Sequence, residues 1–288
     1  MRPGIFAKTF SRPSLEAVFD AVVGHGIRET QFNMSVAGLP SMPEEIDPTL
    51  ADRIRGASAA RNLTLAAVSG TFNMIHPSVE VRRDGLRRLR VLADACERLG
   101  TPVVTLCTGT RDAEDMWSYH PNNATPEAWR DLLASTGKAL EIAEESGVVL
   151  AFEPEINNVV DSAEKGRRLL DEVRSPRLGV IMDAANLFDQ EDPSRDLSRS
   201  GEVLGEAFDL LGEDVVIAHA KDVNESGEAV APGKGVLDYE LYLKHLVEAG
   251  YDGPLIMHGL GDEEVGKSLA FLEAKLVVAG VAEREARR

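Results

Sequence analysis

The sequence predicts an α/β fold, a (β/α)8 TIM barrel, on three observations. Eight apolar, strand-like runs alternate with eight helical patterns along 288 residues. The runs are rich in Val, Ile and Leu, as strands covered on both faces require. Four consecutive runs in the second half each end in a side chain of metal-binding type: VVLAFE at Glu153, LGVIMD at Asp183, VVIAH at His219 and PLIMH at His258. The intervals between them are 30, 36 and 39 residues, enough for a loop, a helix and the next strand. Parallel neighbours would therefore bring the four groups to one rim, the C-terminal face on which barrels of this kind carry their chemistry.

In order, the predicted strands cover residues 4–10, 27–34, 63–72, 102–108, 148–153, 178–183, 215–219 and 254–258. Helical periodicity covers residues 14–24, 47–62, 79–99, 126–147, 162–173, 198–211, 239–249 and 263–279, with glycine stops at Gly24 and Gly147. Strict alternation implies right-handed crossovers between parallel strands, and polar stations on four consecutive strands favour closure over an open sheet. No linker interrupts the pattern, so residues 1–281 read as one barrel domain and residues 282–288, EREARR with its preceding alanine, as a charged tail. Long loops at residues 37–48 and 110–125, the second containing DMWSYHPNN, are placed to cover a ligand.

Composition narrows the function classes. The 43% hydrophobic content is that of a globular protein, and no uncharged apolar stretch approaches the roughly 18 residues of a membrane span. The opening MRPGIFAKTF lacks the apolar segment of a secretory signal, which makes cytoplasmic the expectation. Cys96 and Cys107 lack metal-knuckle spacing and are expected as reduced packing residues. A net charge of −17 repels phosphate backbones and argues against a nucleic-acid surface.

Two carboxylates and two imidazoles suit one divalent ion, with Mn²⁺ or Co²⁺ first and Mg²⁺, Fe²⁺ or Zn²⁺ as alternatives. Glu153 ends five apolar residues, where an unpaired carboxylate is costly to bury; a cation or a salt bridge would explain it. Asp183 repeats the argument, or caps the turn that follows, and Asn186 lies within reach of a substrate hydroxyl. His219 leads directly into Lys221 and Asp222, the densest local constellation. His258 serves metal, substrate or a backbone carbonyl. Lys8, read inside the first strand, needs a carboxylate or an anionic ligand as partner. Trp117 and Phe72 offer faces for a sugar ring. In PGKGVLDY, Lys234 lies between two glycines that allow close backbone approach, and Asp238 suits a helix cap.

The segments FEPE, MDAAN, HAKD, GKGVLDY and YDGPLIMHGL resemble the xylose isomerase-like TIM-barrel superfamily, the sugar phosphate isomerase/epimerase group with inosose dehydratases and tagatose-type 3-epimerases. The resemblance spans nearly the whole chain. It implies a metal held by Glu153, Asp183, His219 and a residue of the last strand, where His258 stands in place of the usual glutamate. It also implies a dimer or tetramer. The family's 3-epimerases use carboxylates on both faces of the substrate, and here only Glu153 matches such a position.

The reading is thus an enzyme for a carbohydrate or polyol substrate. Glu153 or Glu155 takes an α-proton, Lys221 balances oxyanion charge, and His258 binds metal or returns a proton. Isomerisation, epimerisation and dehydration share that first step. Lys8, Trp117, Glu155, Asn186, Asp222 and Lys234 are the expected substrate contacts. A sugar-binding barrel without catalysis and an abasic-site endonuclease are the rival classes.

Overall fold

The computed structural model describes residues 1–188 and 195–280. Strand and helix alternate as β1 (Arg2–Phe6), α1 (Leu15–Gly24), β2 (Glu29–Phe32), α2 (Pro48–Ala59), β3 (Thr64–Ser69), α3 (Val79–Leu99), β4 (Val103–Cys107), α4 (Pro126–Ser146), β5 (Val149–Glu153) and α5 (Ala163–Val173). They continue as β6 (Leu178–Asp183), α6 (Ser200–Leu211), β7 (Val215–Ala220), a short ribbon of β8 (Asp222–Val223) with β9 (Ala229–Val230), α7 (Tyr239–Glu248), β10 (Pro254–Met257) and α8 (Val265–Val278). Eight strands close into a parallel barrel in the order β1-β10-β7-β6-β5-β4-β3-β2. The predicted (β/α)8 architecture is therefore the observed one, with an antiparallel ribbon after β7 that the sequence pattern did not announce.

Helix limits follow local chemistry. Ser14, Asp47, Thr125, Ser162 and Asp238 each accept a backbone N–H of the first turn, the usual way to satisfy an otherwise orphaned donor. Gly100 and Gly147 end α3 and α4 in the left-handed conformation that favours glycine. The predicted tail, residues 282–288, lies outside the described residues. Among the described residues no helix is long and apolar enough to cross a membrane.

Two cores share the strands. The outward faces pack on the helices, while Phe6, Ala67, Val103, Ala151, Ile181, Ile217 and Ile256 form a separate cluster inside the barrel. Side chains alternate with period two along a strand, so the residue two places further on returns to the interior one step nearer the C-terminal rim. Those residues are Ser69, Thr105, Glu153, Asp183, His219 and His258. An apolar plug thus supports a polar layer, strand by strand, and the apolar-to-polar change marks the floor of the site.

The first strand is shorter than predicted. It ends at Phe6, and residues Ala7–Thr9 form a 3₁₀ turn closed by the Phe10 N–H on the Ala7 carbonyl, so Lys8 is on a turn at the rim and not within the strand. Phe72 is likewise taken from the rim. It is buried against α3, where its ring occupies the space a Cβ on Gly85 would need, at 2.1 Å.

Candidate active site

The ends of β5, β6 and β7 bring Glu153, Asp183 and His219 together, with one ligand-type atom of each lying within 4.8 Å of the others. His219 Nδ1 is 3.5 Å from Glu153 Oε1 and 3.7 Å from Asp183 Oδ2. The Asp183 carboxylate divides its work. Oδ1 accepts the Ala185 N–H at 3.0 Å and so caps the turn Ala184–Leu187, whereas Oδ2 faces the cluster. That turn swings Asn186 back over the site, where its Nδ2 donates to Glu153 Oε1 at 2.7 Å and its Oδ1 accepts from Lys221 Nζ at 2.5 Å. Lys221 Nζ also pairs with Asp183 Oδ2 at 3.1 Å.

The donor set fits a divalent ion. His219 Nδ1 is buried and has no hydrogen-bond partner among the described residues, a costly state for a polar atom, and Asp183 Oδ2 beside it is met only by the Lys221 ammonium. Ions bound at about 2.0–2.3 Å hold neighbouring ligand atoms about 3–4 Å apart, which the two spacings from His219 meet. His258 lies outside this cluster. Its ring stacks on that of His219, with centroids 5.3 Å apart and planes 7° from parallel, and also contacts Phe6.

Charge is distributed to match. Burial would lower the His219 pKa, but Glu153 and Asp183 outweigh it and lift it to about 9. Burial would raise the Asp183 carboxyl, but Lys221 and His219 hold it well below the usual range. Lys221 is buried yet raised by Asp183 and Glu153, so it stays cationic. Glu155 is pushed up to about 7 by burial and by Glu153 beside it. His258 is pushed down to about 3 by burial and by the His219 and Lys221 charges.

A cavity of about 440 Å³ opens above the polar layer. Glu153, Glu155, Asn186, His219, Lys221 and His258 line one side; Phe6, Lys8, Gln31, Asn33, Ser69, Thr71 and Thr105 line the other. Its size and mixed lining suit a small, hydroxyl-rich ligand. Lys8 lies 4.7 Å from the centre of the Phe6 ring, and no carboxylate pairs with it among the described residues. Trp117, half exposed, closes the mouth from the β4–α4 loop.

Asparagines stitch that loop to its neighbours. Asn73 Nδ2 donates to the Thr110 carbonyl, and its Oδ1 accepts the Thr110 N–H. Asn123 Oδ1 accepts the Arg111 N–H, its Nδ2 donates to the Asn157 carbonyl, and Asn157 Nδ2 donates to the Trp117 carbonyl. Asn158 Oδ1 accepts the Gly109 N–H at 2.5 Å.

Two expected substrate contacts lie elsewhere. Asp222 is buried under the β7–α7 loop, where its carboxylate accepts the N–H groups of Val223, Gly233 and Leu237. It packs so closely that a Cβ on Gly235 would meet Asp222 Oδ1 at 2.2 Å. Lys234 pairs with Glu264 on the surface, outside the cavity. The hydrogen-bonding wall of Gln31, Asn33, Ser69, Thr71 and Thr105 was not singled out from sequence; the only available signal was a polar residue two places after an inward position. Cys107 also lines the cavity, its thiol donating to the Phe72 carbonyl. Cys96 donates to the Leu92 carbonyl, and burial pushes its thiol up to about 12.

A closed parallel barrel with carboxylates, an imidazole and a lysine converging at the strand C-termini defines a TIM barrel of the type that carries its chemistry on that rim. A family model described as xylose isomerase-like TIM barrel matches residues 19–275, and the chain belongs to that family. The L-ribulose-5-phosphate 3-epimerase UlaE of Shigella flexneri serotype 5b is 24% identical over 219 residues, spanning 74% of this chain and 71% of that protein. Among solved structures, a D-tagatose 3-epimerase-like protein superposes with a TM-score of 0.76 at 16% identity, covering 98% of this chain and 99% of its own. The 3-keto-D-glucoside 4-epimerase YcjR from E. coli gives 0.73 at 17% identity, covering 95% and 99%. An IOLI protein with a bound zinc atom gives 0.72 at 16% identity, covering 97% and 98%.

Proposed function

We propose that this protein is a divalent-metal-dependent isomerase or epimerase acting on a sugar, ketose or polyol derivative through an enediolate. The observation that carries the reading is the convergence of three ligand-type atoms at the floor of a small polar cavity: His219 Nδ1, buried and without a hydrogen-bond partner among the described residues, faces Glu153 Oε1 at 3.5 Å and Asp183 Oδ2 at 3.7 Å. Glu153, Asp183 and His219 hold the ion, Mn²⁺ or Co²⁺ by preference, with His258 against them. When bound, the ion supplies Lewis-acid stabilisation of charge developing on a substrate oxygen.

The remaining steps belong to the chain. Glu153 already accepts from Asn186, whereas no side chain among the described residues hydrogen-bonds the Glu155 carboxylate, which makes Glu155 the base that removes an α-proton. Lys221, held cationic and aimed by Asn186 and Asp183, balances the oxyanion. The neutral wall orients hydroxyls, Lys8 contacts the far end of the substrate, and Trp117 covers an apolar ring face and excludes water.

One observation favours a second outcome of the same first step. Both carboxylates not committed to Lys221 come from the β5 end, and the last strand contributes His258 instead of a third, so acid and base lie on one side of the substrate. That arrangement suits proton return to an adjacent carbon, or loss of a β-hydroxyl as in an inosose-type dehydratase, over inversion at one carbon.

The test is elemental mass spectrometry of gently purified protein beside Asp183→Ala and His258→Ala, followed by a ketose and polyol screen in deuterated water. About one ion per chain, lost in Asp183→Ala, with deuterium entering a substrate carbon, supports the reading. A parent protein that takes up no ion even after reconstitution overturns it in favour of a metal-free sugar-binding barrel.

A further inference from the structure

We propose that Gln31 is a positioning residue for the metal site: in the neutral, ion-binding form of His219 it keeps the ring hydrogen on Nε2, which leaves Nδ1 free to ligate. The proposal rests on the metal-site reading above and concerns a residue on the opposite side of the barrel from the ligands. Gln31 is on β2 and His219 on β7, 188 positions apart, and both are buried.

The polarity of the contact follows from what each atom can do. Gln31 Nε2 donates to two hydroxyl oxygens, Ser69 Oγ at 3.4 Å and Thr105 Oγ1 at 3.3 Å. That orients the amide so that its carbonyl, Oε1, faces His219 Nε2 at 3.0 Å. A carbonyl oxygen only accepts, so His219 Nε2 carries the hydrogen. Nδ1, without a hydrogen-bond partner and 3.5 Å from Glu153, is then the nitrogen whose lone pair meets an ion.

Reversing the amide would reverse the outcome. Its NH₂ would face His219 Nε2, which would have to present a lone pair, and the ring hydrogen would move to Nδ1, between the carboxylates. A reversal would require both hydroxyls to turn and donate to the amide carbonyl, whereas in the observed arrangement Ser69 and Thr105 accept from the NH₂. They also keep their own hydroxyl protons for the cavity, which both line, so the wall offers donors to ligand oxygens. The chain of contacts runs from β7 through β2 to β3 and β4, a geometry in which an outer partner fixes the orientation and basicity of a ligating histidine.

The test is calorimetric titration of metal-depleted protein with Mn²⁺ alone and with Co²⁺ alone. Gln31→Leu keeps the volume and removes the acceptor; it is expected to weaken binding of each ion by about 10–100-fold. Gln31→Glu keeps an acceptor oxygen towards His219 and is expected to retain or exceed the parent affinity, a rescue that a packing role would not produce. Parent affinity in Gln31→Leu overturns the proposal. If circular dichroism shows that Gln31→Leu does not fold, Ser69→Ala combined with Thr105→Val releases the amide from its anchors. A smaller loss of affinity then supports the proposal, and parent affinity overturns it. A parent protein that binds neither ion fails at the metal-site reading itself, which separates the two failures.

Discussion

The two sides of the barrel rim differ in kind. From β5 to β7 it carries Glu153, Glu155, Asp183, His219 and Lys221, all charged or chargeable; from β2 to β4 it carries Gln31, Asn33, Ser69, Thr71 and Thr105, all neutral. Apart from β2, where Gln31 follows Glu29, the strands of both sides stand on the same apolar plug and follow the same two-residue alternation. The contrast shows that the backbone provides equivalent stations all round, and that side-chain choice alone divides them into a side that does chemistry and a side that recognises. It also explains why the charged side is pegged from behind: Tyr242 OH, fully buried on α7, lies 2.9 Å from the Met182 carbonyl and 3.0 Å from that of His219, and Tyr239 OH donates to the Lys221 carbonyl.

The sharpest way to break the division is Asp183→Asn, which is expected to lose the metal and lower turnover by about 10³-fold or more, since Lewis-acid assistance amounts to several kcal/mol. Metal content and kcat measured together decide it, and retention of both would move the chemistry off the charged side. Glu155→Gln comes next. It should lower kcat by roughly 10²- to 10⁴-fold with metal content unchanged, the signature of a lost base, whereas a loss confined to KM would make Glu155 a substrate anchor.

Tyr242→Phe tests the pegging. The one hydroxyl proton that the Met182 and His219 carbonyls share is lost, at a cost of about 1–3 kcal/mol read by thermal or denaturant unfolding, and an unchanged midpoint would show that the β6 and β7 ends hold themselves. On the neutral side, Thr71→Val should raise KM roughly 2- to 10-fold at constant kcat, as expected for one uniform hydrogen bond to substrate. A drop in kcat instead would blur the distinction between the two sides. Smallest of all, Lys234→Ala should alter neither activity nor stability beyond about 0.5 kcal/mol, because its partner Glu264 is a surface ion pair away from the cavity.

The same contrast governed what the sequence made legible. Glu153, Asp183 and His219 each follow an apolar run, where a charged or metal-binding group is conspicuous, and all three converge as that reading required. Ser69, Thr105 and Gln31 occur in strands where hydroxyls and amides are unremarkable, so only the closed barrel reveals that they face inward together. Lys8 illustrates a smaller error of the same origin: FAKTF reads as a continuing strand, but the chain turns at Ala7. Asp222 and Lys234 adjoin the most chemical segments of the sequence, yet Asp222 spends its carboxylate on three backbone N–H groups and Lys234 points to Glu264. Adjacency in sequence carried no information about which side of the strand end they would occupy.

The asparagine stitching over the cavity bears on how such a site can change over evolutionary time. Loops at the top of a barrel are commonly treated as interchangeable parts, each grafted onto its own strand. Here the segment holding Trp117 is tied to Asn73 on one side and to Asn157 and Asn158 on the other. Exchange of any one loop would strand the amides of the other two, so new specificities on this scaffold are expected to arrive by transplanting the three loops as a single block.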